Sequence, residues 1–161
     1  MRRALLNRAV RLLRERAGTN MIEAAIITPL LLLLTFSIVD FASLFYVYLA
    51  LENGVSQATR YAVTGRQMSD PSNPSALLNR SQSIQLVMRQ ATPTLTIPDS
   101  AFSFSHMPPG GTWSAGTGGP SDYEKVTVNY SWDLMTPLIR PFFPNGQIRF
   151  TVDSVMKNES F

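Results

Sequence analysis

The sequence predicts an α+β fold in which one long N-terminal helix, apolar in its first half and amphipathic in its second, packs on a small antiparallel sheet. Three observations lead there. An apolar run extends from Ala24 almost unbroken to Leu51. Past its midpoint, large side chains recur at three- and four-residue steps (Phe41, Leu44, Phe45, Tyr48, Leu51, Val55, Ala58 and Ala62), the period of a helix with one face on protein. Near the end of the chain, two stretches at 124–132 and 147–156 alternate apolar and polar residues, as strands with one buried face do.

The first element is a basic leader. Residues 1–18 hold Arg2, Arg3, Arg8, Arg11, Arg14 and Arg16 against Glu15 alone, a balance of +5, while the remaining chain carries eight basic and ten acidic residues, or −2. The basic pI of 9.6 therefore belongs to the leader, and the folded part offers no basic patch for nucleic acid. Positive charge beside an apolar helix instead fixes orientation, holding the basic end in the cytoplasm. The Arg-rich leader with Leu5, Leu6, Val10, Leu12 and Leu13 also fits a mitochondrial presequence. An ordinary secretory signal is cut after its apolar stretch, and here no small-residue cleavage site follows a run of the usual length.

The long helix comes next, with patterning from Asn20 to Thr64 that reaches roughly 68 Å at 1.5 Å per residue. A membrane needs only about 20 residues, so the half at about 22–43 is assigned to the bilayer and the rest to a head domain. Gly65 is placed to terminate the helix. A turn-rich linker at Asp70–Pro74 precedes a short second helix, capped by Ser75, with Leu77, Leu78, Ile84, Val87 and Met88 as its apolar side. Ala101–Ser105 alternates weakly, Pro108–Gly119 reads as an exposed loop, and Asn145-Gly146 is a turn leading into the last strand. With 161 residues, only one modest domain of about a hundred residues remains beyond the anchor.

The junction between leader and helix carries a resemblance. Gly18-Thr19-Asn20-Met21-Ile22-Glu23, an apolar run with Pro29, the pair Asp40-Phe41 and the helix end Gln57-Ala58-Thr59-Arg60 resemble the start of the TadE-like family. Members are minor pilins (pseudopilins) of the bacterial tight-adherence, or Flp, pilus. The resemblance covers residues 18–65; Ala24 departs from it, standing where an aromatic residue is common. It implies a pilin-like architecture: leader 1–18 removed by a prepilin peptidase, helix 19–65 anchored in the inner membrane, and a periplasmic α+β domain at 66–161. It further implies other minor pilins (TadF-like and TadG-like), the major Flp pilin, the peptidase, an inner-membrane assembly platform and the lipid bilayer as partners. A type II secretion pseudopilin is a nearer alternative, and an uncleaved single-pass membrane protein with a periplasmic binding domain is the rival class.

Each marked residue has a bland reading beside the functional one. Gly18 allows close approach of a peptidase to an extended backbone, with Thr19 as the new N-terminus, or it merely punctuates the helix. Glu23, which costs a few kcal/mol in the apolar layer unless paired, either meets the N-terminal amine of another subunit or closes a capping box with Asn20. Pro29 lacks the N–H that would bond the Ala25 carbonyl and should kink or loosen the helix, a loosening that helps a subunit leave the bilayer or is simply tolerated there. Asp40 marks the outer membrane boundary or sits in a buried ion pair, and Arg60 is solvated, bonds the sheet, or pairs with Glu52 or another subunit. No catalytic group, cofactor or metal is expected: there is no cysteine, and His106 has no partner set for zinc.

Overall fold

The computed structural model describes residues 16–137 and 139–161; the leader before Arg16 lies outside them. Helix α1 runs without interruption from Arg16 to Ala62, 47 residues, with Pro29 inside it. A short hairpin follows, β1 (Ser69–Asp70) with β2 (Asn73–Leu77), and then α2 (Arg80–Ala91). The sheet comprises β3 (Phe102–Met107), β4 (Ser114–Ala115), β5 (Tyr123–Asp133) and β6 (Gln147–Lys157), antiparallel in the order β4-β3-β5-β6. The expected α+β class is the observed one.

The sheet follows its alternation. Val126 and Val128 on β5 and Val152 on β6 are fully covered, Tyr130, Trp132 and Phe150 pack against them, and Asn129, Ser131, Arg149 and Asp153 face out. β5 and β6 pair over their full length, from Tyr123 with Lys157 to Asp133 with Gln147. The outer part of α1 lies on the apolar face, burying Val47, Leu51, Val55, Ala58 and Ala62. Ile84 and Met88 of α2 complete the core beside it.

Four expectations are corrected here. Phe41 and Phe45 are exposed, and Tyr48 is only partly covered, its ring 6.0 Å from that of Phe150. The buried face keeps Leu51, Val55, Ala58 and Ala62 of the expected stripe and adds Asp40, Val47, Gly54 and Thr59. Its members are smaller because α1 and α2 approach closely at Gly54, where a Cβ would lie 2.6 Å from the Thr92 methyl and 2.8 Å from the Met88 sulfur. The second helix begins after Ser75, which lies in β2; Asn79 caps it, taking the Gln82 N–H at 2.8 Å while the Gln82 side chain accepts the Asn79 N–H. Leu77 accordingly points to solvent instead of the core. The loop at 108–119 contributes the small strand β4 at its centre.

The helix stop is as expected. Gly65 takes φ +66° and lets its N–H bond the Ala62 carbonyl. The ring of Phe161 lies where a Cβ on Gly65 would sit, so only glycine fits on both counts.

Candidate functional site

The inner half of α1 is exposed apolar surface, with Met21, Ile22, Ile26, Ile27, Leu30, Leu31 and Leu34 all uncovered. It is the one helix among the described residues long and apolar enough to cross a membrane. Two hydroxyls are taken up within it: Thr35 Oγ1 donates to the Leu31 carbonyl at 2.8 Å and Ser37 Oγ to Leu33 at 2.7 Å. Folding such side chains back onto the helix hides their polarity from hydrocarbon.

Gly18, Thr19 and Glu23 lie together at the start of this surface, all exposed. Thr19 and Glu23 are four residues apart and share one helix face. The helix begins at Arg16, so Asn20 sits in helical backbone and is not an N-cap. In the uncut chain the N–H groups that a capping box would serve are therefore inside the helix. Among the described residues, neither ion pair involves Glu23. Its carboxylate stands on an apolar surface with no partner supplied by the head domain. Pro29 does not end the helix.

Asp40, at the other end of the apolar stretch, is buried, and it belongs to neither ion pair among the described residues. It is 2% exposed. Oδ1 accepts the N–H of Met135 at 2.8 Å, both oxygens accept the N–H of Thr136 at 3.3 Å, and the Thr136 hydroxyl also donates to Oδ2. The carboxylate thus fixes the β5–β6 connection to α1, with three donors offsetting the cost of burying its charge. The sequence did carry a signal, since Asp40 lies four and seven residues before Leu44 and Val47 on the buried face.

A second buried carboxylate closes the far end of the head. Glu124, 0% exposed, accepts the Gly118 N–H at 2.7 Å, Arg80 Nη2 at 3.3 Å and Asn158 Nδ2 at 3.5 Å. Arg80 also donates to the carbonyls of Ala62 (2.9 Å) and Gly118, and its guanidinium lies 4.9 Å from the ring centre of Phe161. One guanidinium therefore joins the end of α1, the 116–119 loop, β5 and the chain's last described residue. Burial pushes the Glu124 carboxyl above its ordinary value, opposed by the Gly118 N–H, Arg80, Asn158 and His106. Neither Arg80 nor Glu124 was singled out from the sequence, because the residues they join are far apart in the chain.

Among the described residues no group of three His, Asp or Glu side chains is placed to hold a metal. A shallow depression on the sheet is lined by Asn129, Tyr130, Ser131, Arg149, Phe150 and Thr151.

A single apolar span leading directly into the core of a small α+β head defines a single-pass, membrane-anchored class of protein. Residues 18–60 match the family model described as TadE-like protein, which covers the junction, the span and the outer helix and leaves the head unmatched. That match associates the chain with the tight-adherence pilus. No curated protein and no solved structure matches it.

Proposed function

We propose that this chain is a minor pilin of a tight-adherence pilus, inserted with its leader in the cytoplasm and its head in the periplasm, and cut by a prepilin peptidase between Gly18 and Thr19. In this reading it is a substrate and a structural part, and its partners are other minor pilins, the major pilin, the assembly platform and the bilayer. It acts in pilus initiation or at the tip.

The observation that supports this best is Glu23: an ionisable group on an exposed apolar helix, one turn from a candidate N-terminus and without a partner in its own head. A carboxylate there costs about 2.5–3.5 kcal/mol near the centre of a span and less toward its edge. Cleavage after Gly18 creates a cation at Thr19 on the same helix face. In a lone subunit the Thr19 amine reaches its own Glu23; in a filament the amine of a neighbour competes for it in a drier setting, where the attraction is stronger.

The continuity of α1 through Arg16–Asn20 favours the alternative, an uncleaved single-pass protein, because a peptidase must first unwind that turn. Gly18 lowers the cost by about 1 kcal/mol relative to alanine, and no side chain of the head packs where its Cβ would be. N-terminal sequencing of the membrane form, with and without the peptidase, separates the two readings. A mature chain beginning at Thr19 supports the pilin, and an intact Met1 in the presence of active peptidase refutes it. Glu23→Gln should be cut normally but fail to recover partner pilins; unchanged recovery removes the proposed role of the carboxylate.

A further inference from the structure

The connection between β5 and β6 carries two large apolar side chains that the head leaves uncovered. Met135 is 60% exposed and Phe142 74%. Its described residues are tied together: the Leu134 N–H bonds the Gly146 carbonyl at 3.1 Å, Arg140 Nε bonds the Leu134 carbonyl at 2.8 Å, and short helical turns occupy Arg140–Phe142 and Pro144–Gly146. Its height on the long helix is also fixed. Asp40 holds Met135 and Thr136, and Ile139 and Phe143 line a small depression with Phe41 and Leu44 of α1. The segment therefore lies against the turn of α1 that directly follows the lipid-facing stretch.

We infer that residues 135–137 and 139–143 form a membrane-contacting surface that seats Met135 and Phe142 in the interfacial layer of the leaflet nearest the head. Taking Met21 as the start of the apolar stretch, Asp40 lies about 28 Å along the helix, close to the roughly 30 Å thickness of a hydrocarbon core. The depth of the loop thus coincides with the headgroup boundary, where aromatic side chains are favoured. Exposed Phe41 carries the apolar surface of the span to the depression it shares with Ile139 and Phe143. Exposed Arg140 and Arg149 at the same end are suited to phosphate groups, while the nearby Asp133 is engaged by the Gln147 amide at 2.8 Å. A preformed apolar tip with cations beside it is the pattern of an interfacial anchor. This inference rests on α1 spanning the bilayer, though not on cleavage or pilus assembly.

The absence of cysteine makes the test direct. Phe142→Cys, Val155→Cys on the outward face of β6 and Ile27→Cys in the span are each made in the full chain, labelled with a nitroxide and reconstituted in vesicles of phosphatidylethanolamine and phosphatidylglycerol. Collision with dissolved oxygen and with a water-soluble nickel chelate is then compared by electron paramagnetic resonance. Label at position 142 should favour oxygen, as at 27, while label at 155 favours nickel. A 142 label that reads like 155 overturns the loop while leaving the span intact. One shielded from both probes also overturns it, and indicates a protein neighbour such as a second copy. A label at 27 that favours nickel removes the span itself, and the inference with it.

Discussion

Cutting the chain at two places around the outer half of α1 measures how far the head depends on that helix. One fragment spans residues 39–161 and keeps Asp40 and the buried face; the other spans 66–161 and loses both. Three of the side chains removed, Val47, Leu51 and Val55, are fully buried in the core. At about 1.5–3 kcal/mol each, their burial contributes roughly 4.5–9 kcal/mol, less a discount of up to about 40% for compactness of the unfolded chain. Asp40 takes its hydrogen bonds with it. A small domain has only about 5–15 kcal/mol in total, so the shorter fragment should not hold a fixed core. Thermal melts followed by near-ultraviolet circular dichroism, with limited proteolysis alongside, should show a cooperative transition for 39–161 and none for 66–161. Equal, cooperative melting of the two would mean that α1 is a stalk carrying an independent head.

Gly54→Leu should force α1 and α2 apart, since even a Cβ meets Thr92 and Met88; overpacking of this kind costs about 1–3 kcal/mol and would appear as a lower denaturant midpoint for the 39–161 fragment. Asp40→Ala removes the acceptor of the buried Thr136 N–H and of the Met135 N–H. At about 1–3 kcal/mol for each donor left unsatisfied, the β5–β6 connection should loosen, with faster amide exchange at both residues and no change in the far strand ends. The pH dependence of the head follows Glu124. Because its folded value is raised above the ordinary 4.5, the folded protein binds a proton that the unfolded chain has released. Its contribution is fullest below about 4.5 and is lost as pH rises through the raised value. Glu124→Gln should flatten that fall in denaturant midpoint, and an unaltered slope would assign the dependence to another group.

The sheet and the long helix were legible because each follows a single short period. Alternation at 124–132 and 147–156 placed Val126, Val128 and Val152 inside, as observed. The face of α1 is less legible, because Phe41 and Phe45 share the helical spacing yet lie outside the contact, whereas Val47 and Gly54 lie in it, the glycine where α1 and α2 approach. Hydrophobicity alone does not separate a large residue facing lipid from a small one facing protein. The second helix slipped by several residues because Ser75 resembles a cap as much as Asn79 does, and only the paired bonds with Gln82 decide between them. The buried carboxylates could not be placed: Asp40 is satisfied by residues 95 and 96 positions away, and Glu124 by an arginine 44 away.

The uninterrupted course of α1 means that the chain has no joint between bilayer and head. Beyond Pro29 the rod continues to Ala62 with no second proline, and its outer part is the core of the head itself. That stretch is about 50 Å long. A tilt of about 20°, common for membrane helices, moves its far end sideways by roughly 17 Å. Bilayer thickness thereby becomes a steering variable: a thinner membrane leans the rod and carries the whole head across the surface as one lever, and Pro29 is the fulcrum nearest to hand.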